Sequence, residues 1–164
     1  MCGIFGISGG HQGIDLNHIN GLLKHRGPDD FGIYSDEFIS LLHRRLSILD
    51  LSEFGHQPMF SKCGHFVIVF NGEIYNYLEI GEELRGLGYE FQGRSDTEVL
   101  LAAFRHWGIK CLEHLRGMFA FAIWDEQTGC LFAARDRLGI KPFHYWQSGN
   151  NQFAFSSELK ALLD

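Results

Sequence analysis

The apolar residues of this chain fall in short, strand-length runs gathered toward its two ends, with the longer helical patterns grouped between them. This arrangement limits the fold more than any other feature. Gly3 to Ser8 reads as a buried strand starting almost at the terminus, and Phe66 to Phe70 is a continuous apolar, β-branched run suited to a central strand. Asp30 to Tyr34 and Phe38 to His43 are shorter candidates. Met118 to Asp125 and Cys130 to Arg135 flank Glu126-Gln127-Thr128-Gly129 as a hairpin, and Phe143 to Gln147 with Gln152 to Ser156 make a second around Gly149-Asn150-Asn151. Helical spacing covers Asp15 to Lys24, with Asp15 as N-cap, then Tyr77 to Leu87, stopped by Gly88. It returns in Asp96 to Trp107, with Val99, Leu100, Ala103 and Phe104 facing inward. Ser95-Asp96-Thr97-Glu98 has the form of a capping box. Ser52 to Lys62 reads as a loop and Ser157 to Leu163 as a closing helix. Strict strand–helix alternation is missing, so an α+β fold of antiparallel sheets packed by helices is expected rather than a doubly wound one.

The 164 residues suit one domain, in which folding buries roughly 70% of the unfolded surface. Fifteen phenylalanines can furnish an aromatic core. The net charge of −6 and the lack of a basic stripe argue against a nucleic-acid partner. No apolar run approaches the roughly 20 residues of a bilayer span, and the N-terminus lacks the basic and apolar regions of a signal peptide, so no membrane partner and a cytoplasmic location are expected. None of Cys2, Cys63, Cys111 and Cys130 is in CxxC spacing, and the nine histidines show no ligand spacing; no metal site is expected. Ser8-Gly9-Gly10, continued by His11-Gln12-Gly13, reads as a turn, and no phosphate loop is present, so no cofactor is expected within this chain. The chain stops inside an apparent helix, as an excised domain of a longer protein would.

Cys2 stands apart by position. Removal of Met1 would place its thiol and a free α-amino group on one residue, with ordinary pKa values near 8.5 and 7.7–8.0, so that the amine can serve as base for the thiol. Taken alone, Met-Cys is equally a small residue after the initiator. Asn71-Gly72-Glu73 directly follows the buried strand; an amide beside a glycine N–H can form an oxyanion hole, although Asn-Gly is also the commonest hairpin turn pair. Arg45, among apolar residues, can hold a carboxylate bidentately or be a surface charge. Asp96 can bind an ammonium group or simply face the helix dipole. His25-Arg26-Gly27-Pro28-Asp29 reads as a loop.

Taken together, these segments resemble the glutaminase domain of class II glutamine amidotransferases, specifically the asparagine synthetase branch. The matching residues are Met1-Cys2-Gly3-Ile4-Phe5-Gly6, His25-Arg26-Gly27-Pro28-Asp29, Arg45-Leu46-Ser47-Ile48-Leu49-Asp50, Gln57-Pro58 and Asn71-Gly72-Glu73-Ile74-Tyr75-Asn76. They continue through Ser95-Asp96-Thr97-Glu98, Gly117-Met118-Phe119-Ala120-Phe121, Arg135-Asp136-Arg137-Leu138-Gly139-Ile140-Lys141-Pro142 and Ser156-Ser157-Glu158. They keep the family's order over nearly the whole chain. Glucosamine-phosphate synthase and the purine-pathway phosphoribosyl amidotransferase resemble it at the cysteine and the Ser-Asp but differ at Leu46-Ser47-Ile48 and at Glu73-Ile74-Tyr75-Asn76.

The resemblance implies an N-terminal-nucleophile hydrolase fold, a four-layer αββα sandwich of two antiparallel sheets between helix layers. It implies Cys2 as nucleophile, with the Asn71 amide and Gly72 N–H as oxyanion hole. Arg45 would bind the α-carboxylate of L-glutamine, and Glu73 and Asp96 its α-amino group. The backbone of Leu46, Ser47, Ile48 and Leu49 would line the pocket, with Arg26 in support. It further implies a C-terminal synthetase domain outside residues 1–164 that uses ATP and Mg, and it admits a homodimer. Aspartate is the default acceptor of the ammonia; a sugar uronate or a peptide carboxylate would leave this half looking the same. The rival readings are a non-catalytic glutamine-sensing domain and an amidase acting on another amide.

Overall fold

The computed structural model describes residues 1–10, 13–48 and 52–163. Leu49, expected in the binding pocket, and His11-Gln12, expected in a turn, lie outside the described residues.

Two antiparallel sheets form the centre. The first has the order β2 (Asp30–Ser35), β3 (Ile39–Arg45), β1 (Gly3–Ser8), β9 (Phe153–Ser156), β8 (His144–Gln147); the second runs β4 (Met59–Phe60), β5 (Phe66–Ile74), β6 (Gly117–Asp125), β7 (Cys130–Arg135). Period-two alternation supplies each sheet with two apolar faces. Ile4, Ile39, Leu41, Val67, Val69, Ala120, Ala122, Trp124 and Phe155 fill the space between the sheets. On the outer face of the first sheet, Phe5, Ile7, Leu42 and Ala154 meet Ile19 and Leu23 of α1 (Leu16–Leu23) and Ala161 of α5 (Lys160–Leu163). On the outer face of the second, Ile68, Phe70, Phe119, Phe121 and Ile123 pack under Ile80 and Leu84 of α2 (Tyr77–Gly86) and Val99, Leu100 and Ala103 of α3 (Asp96–Trp107). A short α4 (Cys111–His114), not foreseen in the sequence, adds buried Cys111 to this layer. The result is the expected αββα sandwich.

The helix ends follow local chemistry. Asp15 accepts N–H bonds from Asn17 and His18 as the N-cap of α1. Ser95 Oγ accepts from Glu98 N at 3.2 Å, but the capping box is only half closed. The Glu98 carboxylate instead takes the Gln92 and Gly93 N–H groups of the preceding turn, both at 2.8 Å.

Two strands outrun their sequence patterns. β3 continues two residues past His43 to Arg45, and β5 runs four residues past Phe70 to Ile74. Asn71-Gly72 is therefore not a hairpin turn. β6 pairs with β5 without interruption from Phe66↔Asp125 to Ile74↔Gly117, and this ladder overrides the local turn preference. Gly72 is needed there because β6 lies close: a Cβ would come 2.4 Å from Met118 O and 2.7 Å from Phe119 Cα.

Candidate active site

Strand parity decides which side chains meet. On β3, Ile39, Leu41, His43 and Arg45 alternate onto the inner face; on β5, Val67, Val69, Asn71 and Glu73 do the same. Cys2 keeps step with Ile4, and Gly3 opposes Arg44 in the β1–β3 register, so Cys2 arrives beside Arg45. At one end of the sandwich, where the apolar filling stops, these inner faces carry Cys2, Arg45, Asn71 and Glu73. They open into a cavity of about 350 Å³ also lined by Leu46, Ile48, Gln57, Gly72, Asp96 and Lys141. That volume is within the ~300–1,000 Å³ of small-ligand sites.

Burial pushes the Cys2 thiol pKa above its ordinary value, against the opposing influence of the Leu46 N–H, the Met1 amine, Arg45 and Lys141. The thiol therefore holds its proton near neutral pH. Its sulfur donates to Leu46 O at 3.7 Å and accepts from Leu46 N at 3.4 Å; among the described residues no histidine or carboxylate bonds to it. Arg26 sits behind the cysteine rather than in the cavity. Its Nε donates to Cys2 O at 2.9 Å and its Nη1 to Glu158 Oε1 at 2.7 Å, which fixes the backbone of the nucleophile candidate.

The open edge of β5 carries the rest. Even-numbered residues of β5 turn their backbone groups away from β6. Ile68 uses them to pair with Met59 of β4, but β4 ends there. Beyond it, Gln57 Oε1 accepts the Phe70 N–H at 2.7 Å, and Asp96 Oδ2 accepts the Ile74 N–H at 2.9 Å. By the same parity the Gly72 N–H, between them, faces the cavity with no strand opposite. Asn71 is 1% exposed, and its Nδ2 has no hydrogen-bond acceptor among the described residues. Among the described residues, the Asn71 amide and, by strand parity, the Gly72 N–H are thus two donors of adjacent residues left without a partner at the cavity that Cys2 also lines.

Asp96 is 5% exposed, and burial raises its carboxyl to a pKa of about 6, opposed by N–H bonds from Ile74 and Thr97. Arg45 donates from Nη1 to Ser52 O at 3.1 Å, anchoring the guanidinium at the cavity wall. Ser47 does not line the cavity; its N–H goes to Asp29 Oδ2 at 2.8 Å, which holds the Leu46–Ile48 turn in place. Sequence reasoning missed Gln57, Thr97, Met118, Ile140 and Lys141 as wall residues. Ile140 and Lys141 are delivered by the loop after β7. There Asp136 accepts N–H bonds from Phe119, Ile140 and Lys141, while Arg135 donates to the Gly139 and Lys141 carbonyls at 2.6 Å each. The matching run Arg135 to Pro142 was the one available signal for them.

Among the described residues no group of three His, Cys, Asp or Glu could hold a metal ion, and no helix is long and apolar enough to cross a membrane.

Comparison with known proteins places this arrangement. The sequence matches the glutamine amidotransferase domain family over residues 1–164. It is 45% identical to asparagine synthetase [glutamine-hydrolyzing] 3 of Bacillus subtilis over 90% of this chain and 24% of that protein. It is also 45% identical to putative asparagine synthetase [glutamine-hydrolyzing] 2 of Methanocaldococcus jannaschii over 99% of this chain and 35% of that protein. The chain thus spans about a quarter to a third of these relatives' length. Among solved structures, glutamine phosphoribosylpyrophosphate amidotransferase from B. subtilis, complexed with ADP and GMP, superposes with a TM-score of 0.79 at 23% identity over 98% of this chain and 43% of that one, which shows a shared fold. The chain belongs to the glutamine amidotransferase domain family, and within it is similar to glutamine-hydrolysing asparagine synthetases.

Proposed function

We propose that residues 1–164 form a glutaminase that hydrolyses L-glutamine to glutamate and ammonia, with Cys2 as nucleophile once Met1 is removed. The observation that carries this reading is the convergence on one cavity of a thiol, two unpartnered N–H donors, a guanidinium and a buried carboxylate. These match, group for group, a scissile amide, its developing oxyanion, an α-carboxylate and an α-ammonium.

The raised Cys2 pKa supports the need for a base, and the sulfur's recorded partners supply none. While Met1 precedes it, the Cys2 nitrogen is an amide. Freed, it becomes an amine on the same residue that accepts the thiol proton, directly or through one water. The thiolate attacks the glutamine Cδ, forming the S–C bond. The oxyanion takes N–H bonds from the Asn71 side chain and the Gly72 backbone. The ammonium of Cys2 returns its proton to the departing nitrogen, the C–N bond breaks and ammonia leaves. Water then adds to the γ-glutamyl thioester, giving glutamate and restoring the thiol. Arg45 holds the substrate carboxylate; Asp96 and Glu73 hold its ammonium.

The relatives' names, which couple glutamine hydrolysis to asparagine synthesis, support a further step in which ammonia from this half amidates a carboxylate, aspartate by default, in a synthetase domain of a longer protein; that domain is proposed to use ATP and Mg. The experiment is glutamate release from glutamine by the purified chain, with the N-terminal mass recorded on the same batch and Cys2→Ala alongside. Release by Met-free protein and none by the variant is expected. Equal release by Cys2→Ala, or none by Met-free protein, refutes a self-sufficient Cys2 glutaminase.

A further inference from the structure

Where β4 ends, the Phe70 peptide of β5 loses its neighbouring strand on the open side, yet it is buried and must be satisfied. Two side chains take the place of the missing strand. Gln57 Oε1 accepts the Phe70 N–H at 2.7 Å, and Gln57 Nε2 donates to Thr97 Oγ1 at 3.2 Å, tying the arrangement to the first turn of α3. His43 Nε2 lies 3.0 Å from the Phe70 carbonyl oxygen, reaching across from the other sheet. Both side chains are buried, His43 completely.

We propose that His43 and Gln57 are positioning residues of the active site, which act by clamping the Phe70 peptide and so setting the orientation of Asn71 and Gly72 relative to Arg45. His43 holds the carbonyl of the Phe70–Asn71 peptide and Gln57 the N–H of the Val69–Phe70 peptide, so the clamp grips the backbone on both sides of Phe70, directly before Asn71. His43 is also two residues before Arg45 on the same face of β3, so one hydrogen bond fixes the spacing between the oxyanion donors on one sheet and the carboxylate anchor on the other.

The state of the imidazole is part of the argument. A carbonyl only accepts, so Nε2 must carry the proton. Burial holds the His43 pKa down to about 3, opposed by the Phe70 bond, so the ring stays neutral and its one proton stays on Nε2. Nδ1 is then a bare acceptor, and it has no partner among the described residues. A leucine would fill this space without an orphaned atom; the imidazole's one satisfied bond is to Phe70.

This inference rests on the glutaminase reading, so the test separates the two. Met-free chain is assayed for glutamine hydrolysis as wild type, His43→Leu, His43→Gln and Gln57→Leu. Each is also followed by thermal unfolding and by the rate of Cys2 alkylation with iodoacetamide, which needs no oxyanion hole. A misplacement on the order of 1 Å can cost ~10²-fold. For folded His43→Leu and Gln57→Leu we expect kcat to fall roughly 10- to 100-fold, KM to stay within about threefold and alkylation to be unchanged. His43→Gln, whose amide can still donate to the Phe70 carbonyl, recovers most of the rate. Wild-type kcat in folded His43→Leu overturns the proposal. Nitrogen-15 NMR of wild-type His43 decides it even if the variants do not fold or the wild type proves inactive: a neutral Nε2–H tautomer from about pH 5 to 8 is expected, and an Nδ1–H tautomer or a titration within that range refutes it.

Discussion

Asp96→Asn separates the stability of this domain from its proposed activity. Burial raises the Asp96 carboxyl from 3.8 to about 6. At 1.36 kcal/mol per pH unit, this means that the ionised carboxylate costs the folded chain about 3 kcal/mol at pH 7 relative to a group that stays neutral. The sign follows from proton counting. Between about pH 4 and 6 the folded chain binds more protons than the unfolded one, so this group's contribution to stability falls as pH rises and reaches its full cost above pH 6. Asparagine keeps a carbonyl oxygen for the Ile74 N–H but never ionises. At 2–4 °C per kcal/mol for a chain of this size, Asp96→Asn should raise Tm at pH 7 by up to roughly 6–12 °C, and the gain should vanish below about pH 4. The same substitution removes the proposed counter-charge of the substrate ammonium, so KM for glutamine should rise at least tenfold, at about 1.4 kcal/mol per decade. In the wild type, glutamine KM should climb as pH drops below 6, because a protonated Asp96 cannot pair with the ammonium. Differential scanning fluorimetry across pH, with glutamate-release kinetics on the same samples, reads both effects. A variant with unchanged Tm and unchanged KM at pH 7 would refute the reasoning, because it would mean that Asp96 is neither an ionised burial cost nor a substrate ligand.

Other substitutions probe single contacts. Asn71→Ala should lower kcat by roughly 10²–10³ with little change in Tm, since the Nδ2 donor it deletes has no partner among the described residues; steady-state kinetics with thermal melts check both. Gly72→Ala should fail differently, as a folding defect visible by circular dichroism, because its Cβ collides with the β6 backbone at Met118 and Phe119. Arg26→Ala should leave glutamine KM nearly unchanged while lowering kcat. It frees the Cys2 carbonyl without touching the cavity, and Glu158→Ala should give a weaker version of the same split because the ion pair holds Arg26 in place.

The layered architecture was legible because it rests on patterns the sequence states directly: the strand-length apolar run of β1, the hairpin of β6 and β7 around its turn, and helical spacing in α1 and α3, whose Asp96–Trp107 limits match the pattern read from the sequence. Strand ends were less legible. His43-Arg44-Arg45 is polar and reads as the end of a strand, and Asn71-Gly72 reads as a turn, because the apolar core that identifies a strand stops there. The backbone does not stop, since β1, β2 and β6 continue to pair it. The site candidates Cys2, Arg45, Asn71 and Asp96 came from chemistry and resemblance, and the structure gathers all four at one cavity. Gln57 and Lys141 lay inside segments that carried the resemblance, but neither was read as a site residue. Each sits in an irregular segment whose only role is to reach a site built by other elements, and no local pattern records such a reach.

These strand ends also explain why the cavity lies where it does. A strand pair that outlasts its neighbours leaves one edge of unpaired backbone groups, which must be covered or satisfied. Beyond β4, the β5 edge is satisfied by side chains at Phe70 and Ile74, each serving a named group. Side chains can be spaced around a gap as a continuous strand cannot. A longer β4 would occupy the Gly72 N–H in a ladder bond and close the cavity with its own backbone. Beginning β4 only at Met59, opposite Ile68, and substituting Gln57, His43 and Asp96 keeps the strand rigid on both sides of Gly72 while its N–H remains available. The prior pairing of β5 with β6 over nine residues makes this possible, because it holds the strand straight without help from the open side. On this view the proposed oxyanion donors and positioning residues have one origin in the late start of β4 at Met59. Extending β4 toward Ile74 should therefore abolish hydrolysis even with Cys2, Arg45 and Asn71 intact.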